Sequence, residues 1–112
     1  MFNFDYLDYY TGTEQYYKAP LIWFNYTDGV KYISDNGGHW LIQDIALFTM
    51  KHREDDFICV ECKFKNKKAD IYFSDGNENV WQKYHVAHTP DFDNGEIKFY
   101  IYNDVCLLAS EY

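Results

Sequence analysis

Two spacings in this 112-residue chain suggest metal chemistry: Cys59-x-x-Cys62 and, further on, His85-x-x-His88. Two thiolates and two imidazoles are a ligand set for tetrahedral zinc, which draws all four to about 2.0 to 2.3 Å. Both pairs fall on segments that read as strands, and residues an odd number apart on a strand point to opposite faces. Neither pair contains a Gly or Pro turn that would bring both members to one side. No metal is expected. The same alternation argues against a redox pair, whose reactive Cys needs a helix N-terminus. Ser34, Ser74 and Ser110 stand in no nucleophile elbow. Asp75-Gly76-Asn77-Glu78-Asn79 lacks the terminal Glu of a calcium loop and reads as a hairpin turn. Gly37-Gly38 stands alone and reads as a helix stop rather than a phosphate loop, so no cofactor is expected either.

Asp28, His39 and Asp44 form a second constellation, bracketing the junction of two predicted helices. Brought together, they would make the chain a small enzyme or ligand-binding domain. The competing reading is structural, with Asp28 as a helix cap and Asp44 as an exposed charge.

Aromatic residues supply the third signal. Twelve Tyr, nine Phe and three Trp exceed what alternating core positions can absorb, so some must face outward. Tyr72, Trp81, Tyr100 and Tyr102 fall opposite the best apolar strand faces and are the expected partner-binding anchors, because Tyr and Trp give large contact area at low entropy cost. Nine Lys against one Arg, with eight Asn, would also fit A/T-rich coding, which inflates Tyr and Phe without function.

The net charge of −8 is spread evenly, with six acids against two bases in residues 1–50 and twelve against eight in 51–112. That balance repels phosphate backbones, and Lys63, Lys65, Lys67 and Lys68 make too short a basic run for a nucleic-acid footprint. Direct nucleic-acid binding is not expected. A protein partner with a basic groove is. Met1 to Tyr10 has no basic flank and carries Asp5 and Asp8, so no signal or transit peptide is read there. No apolar run approaches the roughly 20 residues that span a bilayer, and an odd cysteine count fits a reducing compartment. A cytoplasmic protein is expected, with no membrane role.

These groups are positioned by elements that change character near Arg53. Asp28 to Asn36 reads as a short helix stopped by Gly37-Gly38, and residues 39–51 as the principal helix, with Leu41, Ile45 and Phe48 on one face. Residues 3–10 and 13–18 read as short helical turns around Thr11-Gly12-Thr13-Glu14. Beyond Asp55 the period becomes two. Strands are expected at Ile58 to Phe64, around Ile71 and Phe73, at Val80 to His88, at Glu96 to Tyr102 and at Val105 to Leu108, with turns at Asn66-Lys67-Lys68 and Asn103-Asp104. The expected fold is α+β: N-terminal helices packed on one face of a four- to five-stranded antiparallel sheet, a two-layer sandwich. One domain is expected over 1–112, with the helical layer in 1–53 and the sheet in 54–112.

Four stretches together resemble a small, uncharacterised bacterial family of single-domain proteins. They are Thr11-Gly12-Thr13-Glu14 with Tyr16-Tyr17, Tyr26-Thr27-Asp28-Gly29-Val30-Lys31-Tyr32, Trp40-Leu41-Ile42 with Asp44-Ile45, and Leu107-Leu108-Ala109-Ser110-Glu111-Tyr112. The resemblance implies a single domain of bacterial or mobile-element origin and brings no activity or catalytic residues. The residues themselves point to a non-enzymatic protein-binding inhibitor of a host nucleic-acid-handling defence complex, in the manner of an anti-CRISPR protein.

Overall fold

The structure, a computed structural model, describes residues 1–77 and 79–112. A short 3-10 turn at Phe4–Tyr9 opens the chain. Strand β1 is only Asn25–Tyr26, followed by helix α1 (Asp28–Ile33), a wide turn over Ser34–Gly38, and helix α2 (His39–Thr49). Five strands follow: β2 (Ile58–Lys65), β3 (Lys68–Ser74), β4 (Val80–Val86), β5 (Gly95–Tyr102) and β6 (Val105–Leu108). The sheet runs β1-β6-β5-β2-β3-β4 and is antiparallel except where β1 pairs parallel with β6.

The fold is α+β, but the sheet is six-stranded and mixed rather than four- to five-stranded and antiparallel. The difference is β1. Two residues are too short to show a period, and pairing with β6 joins segments about 80 residues apart, which no local pattern reports. Residues 13–18 are not a helical turn either. Tyr17 and Tyr26 exchange backbone hydrogen bonds of 2.8 and 2.9 Å, holding this segment extended beside β1. The capping chemistry of Thr13 serves a distant helix: its hydroxyl accepts the Asp28 N–H of α1 at 2.9 Å. The Asn36-Gly37-Gly38 stop does work as read, since Gly37 adopts φ +99° and a Cβ there would press within 2.9 Å of the Asp91 carboxylate.

The inner face of the sheet carries Ile58, Val60, Cys62 and Phe64 of β2, Ile71 and Phe73 of β3, and Ile97, Phe99 and Ile101 of β5, all buried. Leu41, Ile42, Ile45 and Ala46 of α2 belong to the same core, and Phe48 reaches Phe73 and Tyr84 at ring distances of 5.6 and 4.6 Å. Phe92 arrives from outside any element. Its ring is fully buried, stacks on Phe64 at 4.9 Å, and meets Phe2 at 4.7 Å. Backbone and hydroxyl bonds fix its loop: Thr89 donates its N–H to the Lys67 carbonyl at 2.7 Å and its hydroxyl to the Phe92 carbonyl at 2.9 Å. The Phe2 N–H closes the same corner on the Asp91 carbonyl at 2.7 Å.

Two turns have both central residues at positive φ, Asn66-Lys67 (53° and 58°) and Asn103-Asp104 (53° and 60°). That is the hairpin geometry matching strand twist, and it fixes the register of β2 with β3 and of β5 with β6. Register decides faces, so these turns set which side chains reach solvent. A β-bulge between Phe73 and Ser74 interrupts the next pairing: Phe73 opposes Gln82 while Ser74 opposes Val80, leaving Trp81 as the extra residue.

The core assignment is tested by truncation. Leu41→Ala should cost about 2 to 5 kcal/mol and Phe92→Ala about 3 to 5 kcal/mol, measured by urea denaturation. A change below about 1 kcal/mol in both would remove α2 and the Phe92 loop from the core.

Candidate functional site

Asp28 stands at the start of α1, and its carboxylate is fully engaged by its own chain. Oδ2 accepts the Glu14 N–H at 2.9 Å and Oδ1 accepts the Tyr17 hydroxyl at 3.0 Å. The Glu14 N–H first, with the Tyr17 and Thr13 hydroxyls, holds this carboxyl below the usual carboxylate range. Tyr17 in turn stays protonated to a higher pH, chiefly through that bond to Asp28. His39 is exposed at the first position of α2 and shares a 3.2 Å hydrogen bond with Ser34 Oγ. Asp44 is half-buried on α2, where burial pushes its carboxyl up. No hydrogen bond or ion pair among the described residues links the three, and each has a separate local setting. The cysteines likewise divide between faces, with Cys62 in the inner core and Cys59 on the opposite face across from Tyr100. Burial raises both thiols. Among the described residues no group of three His, Cys, Asp or Glu is placed to hold a metal. Glu78, in the segment read as a turn, lies outside the described residues.

The four strand aromatics separate. Register puts Tyr72, Tyr100 and Tyr102 on the outer sheet face. Trp81 does not join them: the bulge turns its ring inward, 5.6 Å from Phe73 and stacked 3.7 Å from His52. A face assignment from alternation alone fails at the residue where the ladder slips. The outer tyrosines stand among both acids and bases, with Glu61 opposite Tyr72, and lysines cover the Tyr72 and Tyr100 rings. Lys63 and Lys83 lie over the Tyr72 ring at 5.5 and 5.3 Å, and Lys98 lies over Tyr100 at 5.6 Å.

Tyrosines and carboxylates do meet elsewhere. Tyr9 packs on Tyr6 at 5.8 Å, Tyr6 on Tyr32 at 6.0 Å, and Tyr10 on Tyr32 at 5.6 Å, giving a continuous tyrosine surface from the N-terminal turn to α1. A cleft of about 340 Å³ continues it, lined by Tyr10, Tyr17, Asp28, Lys31, Tyr32, Asp35 and Asn36. Asp5 and Asp8 are exposed on the same turn as Tyr6 and Tyr9. The one base in the cleft, Lys31, is held by Asp35 at 2.7 Å. Tyr6 and Tyr9 are 49% and 78% exposed, so their rings are available to a partner. Strand alternation does not reach them, because they lie on a 3-10 turn. The Asp5-Tyr6 and Asp8-Tyr9-Tyr10 neighbours were the signal that could have found them.

One half-buried tie holds this surface to the sheet. Glu111 accepts the Thr27 hydroxyl at 2.6 Å, the Leu108 N–H at 2.9 Å and the Gly29 N–H at 3.2 Å. Thr27 makes no side-chain cap of its own, so Glu111 and Thr13 together satisfy the first donors of α1. A Cβ on Gly29 would come within 2.6 Å of Leu108 and 2.8 Å of Glu111, so only glycine permits this approach without displacement.

Residues 3–112 match a family model described as a family of unknown function (DUF6876), in keeping with the resemblance carried by the four sequence stretches. No curated protein and no solved structure matches the chain.

Glu111→Ala should strand these donors and lower stability by about 2 to 3 kcal/mol, with faster amide exchange at Gly29 and Leu108. Unchanged exchange there would show that the tie is idle. Asp44 has the opposite sign. Its folded carboxyl titrates above its unfolded value, so it takes stability away as pH rises through the ordinary carboxylate range and does nothing below it. Asp44→Asn should therefore raise the thermal midpoint at pH 7 and leave it unchanged near pH 3, and melts at both values check this.

Proposed function

The chain belongs to the family of unknown function DUF6876, and from that premise we propose that it is a non-enzymatic module that binds a basic protein partner through its N-terminal tyrosine surface. The observation that carries this reading is the unbroken contact of Tyr9, Tyr6, Tyr32 and Tyr10 beside the exposed Asp5 and Asp8. Lys and Arg side chains are attracted both to the faces of such rings and to neighbouring carboxylates. Ring against ring, the tyrosines have little rotamer freedom left to lose on docking. The site the reading draws on is thus the 3-10 turn and α1, not the strand tyrosines Tyr72, Tyr100 and Tyr102.

The narrower form of the proposal is an inhibitor, encoded by a phage or mobile element, that occupies the basic groove of a host nucleic-acid-handling defence complex in the manner of an anti-CRISPR protein. The −8 net charge supports it. Among the described residues no helix is long and apolar enough to cross a membrane.

An arginine-rich peptide serves as the first probe. Its addition should shift the amide and ring resonances of Tyr6, Tyr9 and Tyr32, and Tyr6→Ala with Tyr9→Ala should weaken binding by about tenfold, or 1.4 kcal/mol, without lowering stability. Affinity should fall with salt. Shifts confined to other regions, or an affinity indifferent to both substitutions, would sink the reading.

A further inference from the structure

The outer face of the sheet has the reverse charge of the rest of the molecule. Strand register places Lys63 and Lys65 of β2, Lys68 of β3, Lys83 of β4 and Lys98 of β5 there, against Glu61, Asp70 and Glu96. All five lysines are exposed. Five bases and three acids give this face +2, and the remaining five bases and fifteen acids give the rest of the chain −10, which together make the −8 total. The concentration is invisible along the chain because Lys83 and Lys98 join the 63–68 run only through the ladder.

The ammonium groups are also uncommitted. Among the described residues Asp70 on this face is hydrogen-bonded to His85 Nδ1 at 2.9 Å, and no lysine of the face has a carboxylate partner within 4.0 Å. Lys63, Lys83 and Lys98 lie over the Tyr72 and Tyr100 rings instead. At the β6 end the face becomes aromatic: Tyr102 and Tyr112 are 45% and 69% exposed, with rings 6.4 Å apart, and both adjoin Phe57. From Tyr102 back to the level of Glu96 and Lys63 is six residues of strand, about 20 Å. Tyr102 also borders a cleft with Arg53, Glu54, Asp55, Asp56 and Asp104, so phosphates are held by the lysines at the other end while Tyr102 and Tyr112 take unstacked bases, a division that single-stranded nucleic acid permits. A duplex offers the rings no free base faces.

Against the expectation from net charge and the 63–68 run alone that the chain does not bind nucleic acid directly, we infer that this outer face, from Lys83 and Lys63 through Lys98 to Tyr102 and Tyr112, is a contact surface for single-stranded nucleic acid. It is independent of the acidic tyrosine surface, which belongs to other residues. The excess of negative charge elsewhere orients the strand onto this face and keeps the affinity modest, in the range of about 10⁻⁶ to 10⁻⁴ M typical of non-specific contact.

The experiment is fluorescence anisotropy of a labelled oligothymidine of about 12 nucleotides, within the site sizes of sheet-based single-strand binders. The full chain should bind at low salt and release as salt rises. Lys63→Gln with Lys83→Gln should weaken binding at least tenfold, and Tyr102→Ala several-fold, with circular dichroism unchanged. Tyr9→Ala should leave this binding unaltered, which separates it from the arginine-peptide site. No binding at low salt, equal binding by all variants, or preference for an oligoglutamate peptide over the oligonucleotide would each overturn the inference, the last by assigning the face to an acidic protein.

Discussion

The start of α1 is anchored to the sheet through one carboxylate. Glu111 gathers the Thr27 hydroxyl and the Gly29 and Leu108 amides, so it closes the start of α1, the end of β6 and the final turn in one step. Backbone donors at a helix start must find acceptors, and α1 has six residues and no cap from Thr27 itself. A helix that short is not stable alone in water. It exists because Glu111 and Thr13 supply the acceptors and the core supplies the packing of Val30 and Ile33. The 13–17 segment then lies along β1, and Tyr17 reaches Asp28. The tyrosine surface is a consequence of that chain of contacts.

The molecule also shows how little net charge says about a particular face. Carboxylates populate the helices and loops, while lysines dominate the sheet's open side. The two arrangements are built by different devices. The acidic side follows local sequence, since Asp5, Asp8, Asp28 and Asp35 adjoin the tyrosines that they flank. The basic side follows register, which unites residues from four strands.

The same distinction explains what could be read from the sequence. The segments of α2 and of β2 to β6 were legible from hydrophobic period and turn residues, and the Gly37 stop from its dipeptide. β1 was not, because its partner lies beyond any local window. Phe92 resembled a loop residue after Pro90, and its burial depends on Thr89, Phe64 and Phe2, which no periodicity relates. Trp81 was placed by alternation, and a single extra residue reversed it. Asp28, His39 and Asp44 share a sequence neighbourhood, and no hydrogen bond or ion pair among the described residues links them. The motif Tyr-Thr-Asp-Gly-Val-Lys-Tyr stood out in the sequence, and the structure accounts for its Thr, Asp and Gly by the Glu111 and Thr13 contacts.

The tie between Thr27 and Glu111 spans 84 positions, and β1 has its sheet partner in β6. On the ribosome, residues 13–33 therefore emerge well before the residues that fix them to the sheet. The hairpins of β2 with β3 and β3 with β4 need only neighbouring chain and can pair first, whereas β1 and α1 must wait for residues 105–111. Such long-range closure is slow relative to hairpin formation. Until residues 105–111 arrive, β1 and the start of α1 lack their sheet contacts, and Tyr26 and Tyr32 on that segment stand open to chaperones and to neighbouring nascent chains.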